Sequence, residues 1–312
     1  MIIPPYLKSG DKVAITCPAK KLPHSIDDAV QLLTSWGLEV ILGDTVTAGW
    51  KQFAGTDEER AADMQRFLDD DSIKAIFAAR GGYGTIRIID ALDFTPLNEH
   101  PKWLIGFSDI TVLHSHIQQV CGMASIHGQM PLTIPDGTKP SLLSLRNALF
   151  GEEISYDIKP HELNRVGSGK GLLTGGNLAL ICALTGSVSE ADFTGKILFL
   201  EDVGEYLYNL DRMMHTLKRS GKLEELEGLI VGGFTELKDN DVPFGFTAEE
   251  IIKDAVSNYP FPVAFNFPAG HVPDNHSLLF GLEAHLQVDK HAVKLNYVPQ
   301  TAPVDEPAEK LS

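Results

Sequence analysis

Short apolar runs alternate with amphipathic segments through the first half of the chain. The apolar runs are of strand length and predict buried strands at residues 12–17 (KVAITC), 39–42, 73–79 (IKAIFAA), 103–107 (WLIGF) and 123–127. The segments between them carry apolar residues at helical spacing and predict helices at residues 25–36, 56–68, 109–119 and 141–150. Thr56 and Glu59 have the spacing of a capping box at the start of one of these helices. This alternation predicts a parallel sheet covered by helices on both faces.

The pattern breaks at residues 164–171 (NRVGSGKG), a Gly/Ser/Lys stretch that favours a linker. After it, strands and helices are more mixed, with several short β segments between residues 277 and 297. We therefore predict an α/β fold: an N-terminal doubly wound parallel sheet, flavodoxin-like, followed by a second, mixed α/β domain. The predicted divisions are an N-terminal domain at 1–160, a linker at 161–172, a C-terminal domain at 173–297 and a disordered Pro- and Glu-rich tail at 298–312.

Composition and charge narrow the class of protein. The chain has 312 residues, 43% hydrophobic and 22% charged, which is typical of a globular protein with material for two domains. Its formal net charge is -16, with acidic residues spread along the chain. A nucleic-acid surface needs clustered Lys and Arg, so we expect no nucleic-acid partner.

The N-terminal residues and the cysteines bear on the compartment. The opening MIIPPYLKSG lacks a basic segment followed by an apolar stretch of secretory length, and no run approaches the ~18 apolar residues of a membrane span. The three cysteines, Cys17, Cys121 and Cys182, are far apart and lack metal-ligand spacing. We therefore expect a cytoplasmic protein that does not bind a membrane.

Reactive residue types follow several of the predicted strands, where ligands bind in open parallel sheets. Ser108 lies at an abrupt strand-to-helix turn, which suits a nucleophile but equally suits a helix N-cap. The loop at residues 80–84 (RGGYG) has two interpretations. Its backbone amides bind an anion, and one of them serves as a donor of the oxyanion hole, or the loop is only a tight turn between a strand and a helix. His271 and His127 both follow or end a strand and are rival bases.

The sequence contains two further groups of titratable residues near these candidates. His114 and His116 fall on a helix beyond the turn at Ser108, and we expect them to be exposed. Glu201, Asp202 and Glu205 form an acidic cluster without a neighbouring His or Cys, so we expect no metal and no cofactor.

Five motifs together carry a family resemblance. They are GFSDIT at residues 106–111, RGGYG at 80–84, LTGGNL at 173–178, LED at 200–202 and PAGH at 268–271. In this order, over nearly the whole chain, they resemble the LD-carboxypeptidase family of serine peptidases. The same family includes hydrolases that inactivate peptide-nucleotide antibiotics.

The resemblance implies roles for particular residues. It implies a catalytic triad of Ser108, His271 and Glu201, and an oxyanion hole from the amide of Asp109 and one from the Gly-rich loop. Gly82 is our choice for the loop amide, with Gly81 left open. Asn177 is implied to line the substrate pocket. Independently of the resemblance, Arg80 is the cation that the sequence places beside the proposed oxyanion hole, where it would hold a substrate carboxylate or form a surface ion pair.

The resemblance also implies a substrate. The family releases the terminal D-alanine from a murein tetrapeptide during cell-wall recycling, so we expect a small peptide partner. We also expect a homodimer. The nearest alternative is the antibiotic-immunity branch, which has the same triad and an acyl-nucleotide substrate. A remote alternative is a two-domain ligand-binding protein without catalysis, in which Ser108 is a helix cap.

Overall fold

The computed structural model describes residues 1–298, so the disorder predicted for the tail lies, beyond Val298, outside the described residues. The strands are β1 (Lys12–Thr16), β2 (Glu39–Leu42), β3 (Ile73–Ala78), β4 (Trp103–Gly106), β5 (Ser125–His127), β6 (Ser155–Ile158), β7 (Gly167–Asn177), β8 (Lys196–Val203), β9 (Gly228–Thr235), β10 (Val263–Ala264), β11 (Leu278–Phe280), β12 (Glu283–Val288) and β13 (Val293–Tyr297). The α-helices are α1 (Asp27–Ser35), α2 (Asp57–Asp69), α3 (Pro96–Glu99), α4 (Thr111–Val120), α5 (Lys139–Phe150), α6 (Leu178–Ala183), α7 (Leu207–Arg219) and α8 (Ala248–Ala255).

The first sheet has the strand order β2-β1-β3-β4-β5-β11. Strands β1 to β5 are parallel, and β11 is antiparallel at one edge. The order 2-1-3-4-5 is that of flavodoxin-like doubly wound sheets, which confirms the predicted fold class. Because the winding reverses between β1 and β3, the loops that follow these strands diverge and leave a crevice at the carboxyl edge.

Burial on both faces explains why these segments form strands. Every residue of β4 is buried, and five of the six residues of β3 are buried. Continuous apolar runs of this kind belong to parallel strands that are covered on both sides. The predicted capping box of α2 is also present: Thr56 Oγ1 accepts from the Glu59 N–H at 3.2 Å, and Glu59 Oε2 accepts from the Thr56 N–H at 2.7 Å.

The second sheet is mixed, as predicted, with the order β10-β9-β8-β7-β12-β13-β6. Strands β7 to β10 run parallel, whereas β12, β13 and β6 pair antiparallel. Two strands belong to a sheet that is formed mainly by the other half of the chain. Strand β6 pairs with β13 of the second sheet, and β11, from the C-terminal half, pairs with β5 of the first. Each sheet therefore contains one strand from the other half of the chain.

The predicted linker is wrong for part of its length. Gly167–Gly171 form the first half of β7, which is eleven residues long and central in the second sheet. The glycines serve close packing rather than flexibility: a Cβ at Gly169 would come within 1.7 Å of the Glu227 carbonyl oxygen, and one at Gly171 within 2.4 Å of the Gly195 carbonyl oxygen. Only a residue without a side chain allows the backbones to approach this closely.

The exposure predicted for two histidines is also wrong. Residues 111–118 of α4 are all buried, since the helix packs against α6 and β7 as well as against its own sheet. His114 is 1% exposed, with its ring nitrogens bonded to Ser125 Oγ and to the Gly106 carbonyl oxygen, and His116 contacts Ser189 Oγ. Among residues 1–298, no helix has the length and apolar character needed to span a bilayer.

Candidate active site

Ser108 lies in a sharp turn between β4 and α4. Its φ is +65°, a left-handed conformation that is strained for a residue with a side chain. The short 3-10 turn Ser108–Ile110 has Phe107 at its capping position, with no side-chain cap. The hydroxyl of Ser108 instead lies 3.1 Å from Nε2 of His271. The helix-cap alternative therefore does not describe this serine, and the turn has the form of a nucleophile elbow.

His271 joins Ser108 to a buried carboxylate. Its Nδ1 lies 2.5 Å from Oε2 of Glu201, which is fully buried. A carboxylate only accepts hydrogen bonds, so Nδ1 carries the proton and Nε2 is left to accept from the serine hydroxyl. The three side chains thus form one hydrogen-bonded chain, although 163 residues separate Ser108 from His271.

Glu201 is placed by the end of β8 and by an irregularity in the neighbouring strand. The register between β8 and β9 shifts across this residue, opposite Gly232 and Gly233. Bulges of this kind re-aim side chains and are common beside active sites. Gly270 lies directly over the carboxylate: with φ at +103°, a Cβ there would come within 2.7 Å of Glu201 Cβ and 3.0 Å of its Oε2. Glycine is therefore required for His271 and Glu201 to meet.

The segment that carries His271 is held against β9. The Gly233 N–H donates to the Ala269 carbonyl oxygen at 2.9 Å, and Thr235 Oγ1 donates to the carbonyl oxygen of His271 at 3.2 Å. Phe107, the residue before the serine, packs edge-on against the imidazole with ring centroids 5.0 Å apart. Backbone bonds and ring packing together fix the orientation of His271.

The surroundings of His271 act in opposite directions on its pKa. Burial is the largest effect and disfavours the charged ring, but the charge and hydrogen bond of Glu201, with smaller contributions from Asp202 and Glu236, outweigh it. The pKa of His271 is raised above its usual value as a result. This is the behaviour of an imidazole whose cationic form is stabilised by a buried carboxylate.

The Gly-rich loop after β3 faces the nucleophile. A Cβ at Gly81 would lie 3.3 Å from both Ser108 Oγ and the amide nitrogen of Asp109. The side chain of Asp109 is buried and its Oδ2 accepts from the Thr85 N–H at 2.9 Å, which joins the end of the loop to the elbow. The N–H groups at the start of a helical turn have no intrahelical partner, so the Asp109 amide is free to bind an oxyanion.

Comparison with known proteins identifies the family of the chain. Residues 13–128 match the LD-carboxypeptidase N-terminal domain, and residues 170–286 match the LD-carboxypeptidase C-terminal domain. The chain belongs to the LD-carboxypeptidase family. Membership in this family makes it a serine-type peptidase, as the motifs predict.

Two bacterial carboxypeptidases match over most of the chain. A probable murein peptide carboxypeptidase of Bacillus subtilis is 35% identical over 93% of this chain and 93% of its own length. The murein tetrapeptide carboxypeptidase of Pseudomonas aeruginosa is 31% identical over 88% of this chain and 93% of its own. Both matches extend across the two domains of the family.

Solved structures show the same fold. The muramoyltetrapeptide carboxypeptidase of Oxalobacter formigenes superposes with a TM-score of 0.83 at 30% identity, covering 92% of this chain and 98% of that chain. The microcin C7 self-immunity protein, solved with aspartyl sulfamoyl adenosine, gives a TM-score of 0.85 over 96% of this chain and 100% of that chain. Its identity is 18%, so this second likeness concerns the fold alone.

His127, the rival base, is not part of the hydrogen-bonded chain in this LD-carboxypeptidase. It is fully buried against the rings of Phe107, Phe199 and Phe280, and neither ring nitrogen has a partner among the described residues. Burial, reinforced by the neighbouring histidines, holds its pKa well below the usual value. A neutral ring without contact to Ser108 has no means of activating it.

The two predicted substrate contacts occupy different places. Arg80 Nη1 donates to the carbonyl oxygen of Lys21 at 2.8 Å. Asn177 is 3% exposed and its amide is engaged inside the protein: Nδ2 donates to Asp202 Oδ1 at 2.8 Å, and Oδ1 caps α6 by accepting from the Leu180 N–H. The side chain of Asn177 is therefore bonded within the protein, whereas the family resemblance implies that it lines the substrate pocket.

The predicted acidic cluster separates into residues with different surroundings. Asp202 is buried and accepts from the N–H groups of Ala179 and Val203 as well as from Asn177. Burial, and after it the charge of Glu201, raises the pKa of Asp202 to about 6. Within residues 1–298, no three His, Cys, Asp or Glu side chains are grouped so as to hold a metal ion.

Several supporting residues carry little signal in the sequence. Thr235 acts through a contact between distant segments and has no local pattern that marks it, whereas Asp109 lies within the GFSDIT motif but its side-chain bond to the Thr85 N–H is not evident from that motif. Gly270 is different, because it lies within PAGH, directly before the histidine. A glycine next to a candidate catalytic residue indicates a close approach of backbone to another group, which here is Glu201.

Proposed function

We propose that this LD-carboxypeptidase hydrolyses the amide bond between an L-centre and a terminal D-alanine in a murein tetrapeptide. The observation that carries the proposal is the hydrogen-bonded chain from Glu201 through His271 to Ser108, beside a loop of backbone amides. The names of the Pseudomonas and Oxalobacter relatives support the substrate class.

The proposed first half-reaction uses the triad in sequence. His271 Nε2 takes the proton of Ser108 as its Oγ attacks the carbonyl carbon, and Glu201 stabilises the imidazolium. The oxyanion is held by the amides of Asp109 and Gly82, with roughly 3 kcal/mol from each donor. As the intermediate collapses, Nε2–H gives its proton to the scissile nitrogen and the C–N bond breaks. D-alanine leaves, and the remaining tripeptide acyl group is bound to Ser108 Oγ as an ester.

The second half-reaction returns the enzyme to its starting state. A water molecule gives a proton to His271 Nε2 and attacks the ester carbonyl carbon. The same amides hold the second oxyanion. The proton on His271 then passes to Ser108 Oγ, and the tripeptide departs with a new carboxylate. Over the whole reaction, one water molecule is consumed for each D-alanine that is released.

Product analysis tests the substrate. The tetrapeptide with terminal D-alanine, its isomer with terminal L-alanine and an acyl sulfamoyl nucleotide are each incubated with the protein and followed by chromatography with mass detection. We expect free D-alanine from the first substrate and no product from the second. Cleavage of the nucleotide conjugate alone would assign the chain to the antibiotic-immunity branch, and cleavage of none of the three would favour a binding protein.

We further propose that the reaction takes place in the cytoplasm and that the protein is a homodimer. Cys17, Cys121 and Cys182 are all free, which fits a reducing compartment. Val242 and Phe246, four residues apart in the sequence, are 83% and 60% exposed, and we take this apolar segment as the candidate dimer contact. Light scattering measures the mass of the wild-type protein and of Val242→Asp. We expect a wild-type dimer that the substitution dissociates into monomers. A monomeric wild-type protein would contradict the proposed homodimer.

A further inference from the structure

Lys20 lies across the Gly-rich loop that faces the nucleophile. A Cβ at Gly82 would come within 2.6 Å of Lys20 Cδ and 3.2 Å of its Cε, so the stem of the lysine covers Gly82. The next residue back, Gly81, is the one whose Cβ position lies 3.3 Å from Ser108 Oγ. The stem of Lys20 therefore runs beside the proposed oxyanion hole.

The backbone holds Lys20 in this place. It follows β1, at the crevice where the winding of the first sheet reverses. The Ala54 N–H donates to the carbonyl oxygen of Ala19 at 3.1 Å, and the Lys21 N–H donates to the carbonyl oxygen of Gln52 at 3.1 Å. Lys20 thus starts from a segment that is bonded on both sides, which limits the positions its ammonium group reaches.

In the described part of the chain, no acidic side chain pairs with the ammonium group of Lys20. Within residues 1–298 it forms neither an ion pair nor a side-chain hydrogen bond, although the side chain is half-buried. In a chain of net charge -16, an unpaired cation beside a reaction centre provides local positive potential for an anion from outside.

Arg80, the cation expected from the sequence at this position, is used differently. Its Nη1 donates to the Lys21 carbonyl oxygen, and its Nε is buried without a partner in the described part of the chain. The guanidinium therefore supports the backbone beside Lys20. The side chain that packs on the Gly-rich loop is that of Lys20, whose stem lies against Gly82.

We infer that Lys20 binds the terminal carboxylate of the residue that leaves. The inference rests on the proposed function and assigns to Lys20 the selection of substrates with a free carboxyl terminus. In a terminal D-alanine, a single carbon separates the carboxylate from the scissile nitrogen. When the scissile carbonyl oxygen lies in the oxyanion hole, the carboxylate lies just beyond it, within the reach of a lysine on Gly82. Binding there makes the enzyme an exopeptidase.

A substrate pair and a near-isosteric variant test this inference. The tetrapeptide and its C-terminal amide are compared in wild type and in Lys20→Met, which keeps the stem that packs on Gly82 and removes only the charge. A hydrogen bond to a charged group corresponds to roughly a 10- to 100-fold effect. We expect Lys20→Met to lower kcat/KM for the free acid by this factor, mainly through KM, and to leave turnover of the amide unchanged. Lys20→Arg should retain most of the preference.

The neighbouring Lys21→Met is the matched control, and it should leave the ratio of acid to amide turnover unchanged. An unchanged ratio in Lys20→Met, or an equal loss on both substrates, overturns the role of Lys20 and leaves the proposed function standing. Absence of D-alanine release from the free acid by the wild-type protein overturns both.

Discussion

At the scale of single residues, the site depends on one strained conformation. Ser108 has a φ of +65°, which costs a non-glycine residue roughly 1–2 kcal/mol, and it is held there by the buried strand before it and the buried helix after it. In this conformation its hydroxyl lies 3.1 Å from His271 Nε2. Function and stability are therefore opposed at this position.

Two substitutions of the serine separate these effects. Ser108→Ala removes the hydroxyl and keeps the strain, so activity should be abolished while Tm stays within a few degrees. Ser108→Gly also removes the hydroxyl but accepts a positive φ, and it should be more stable than the alanine variant by roughly 1 kcal/mol, or about 2 °C in Tm. Calorimetry and D-alanine release measure the two effects. More than a tenth of wild-type activity in Ser108→Ala would reject the serine mechanism.

The pH dependence of activity reports the charge state of His271. The imidazole must be neutral to accept a proton, so activity is lost as the pH falls through its pKa. That pKa is raised, with Glu201, Asp202 and Glu236 as the anionic neighbours and the neutral ring of His127 nearby. The acid limb of kcat/KM should therefore have its midpoint above the ordinary value of about 6.5.

Glu201→Gln should move that midpoint to lower pH, because the remaining influence of burial lowers the pKa of His271. It should also cost several orders of magnitude in rate, about 10⁴-fold. The same change at Glu236, which is exposed, should move the limb less. A limb that does not respond to Glu201→Gln would mean that another group controls it.

At the scale of elements, glycines decide how closely the site's loops and strands approach. The alternation of strands and helices follows from hydrophobic periodicity, so most elements are predictable from the sequence within a few residues. The stretch at residues 164–171 is not, because a glycine required for close packing has the same composition signal as a flexible linker. The proposed triad follows from the family motifs GFSD, LED and PAGH, whereas the contacts of Lys20 with Gly82 and of Thr235 with His271 are tertiary contacts that no local pattern contains.

A matched pair of glycine substitutions tests the close approach over Glu201. Gly270 and Gly186 both have positive φ, at +103° and +81°, so alanine strains the backbone at either position. A Cβ at Gly270 would meet Glu201, whereas one at Gly186 has nothing within 4 Å. We expect Gly270→Ala to lower kcat by at least about tenfold through displacement of the Glu201–His271 pair, and Gly186→Ala to leave kcat unchanged. Equal effects on kcat would show that strain alone is responsible.

At the scale of the whole molecule, the two sheets form one unit. Strand β6 completes the second sheet and β11 completes the first, although each comes from the other half of the chain. A single cluster of buried side chains includes Ile105, Phe199 and Phe280 from both sheets. The Asn177 N–H, at the end of β7, donates to Thr111 Oγ1 on the elbow helix at 2.9 Å. The site at the junction therefore depends on both halves.

This organisation predicts one cooperative unfolding transition. All three tryptophans, Trp36, Trp50 and Trp103, lie in the first half, so their fluorescence reports that half, whereas circular dichroism reports the whole chain. The two thermal curves should coincide. A fluorescence transition separated from the dichroism transition would show that the halves unfold independently.

Covalent labelling of the nucleophile tests the central claim most directly. A fluorophosphonate reacts with an activated serine, and peptide mapping by mass spectrometry identifies the residue. We predict stoichiometric labelling of Ser108, abolished in Ser108→Ala and slowed by at least about 10³-fold in His271→Ala. His127→Phe, which replaces the unpartnered ring with an apolar one, should label at close to the wild-type rate. Absence of label at Ser108, or slower labelling in His127→Phe than in His271→Ala, would contradict the account.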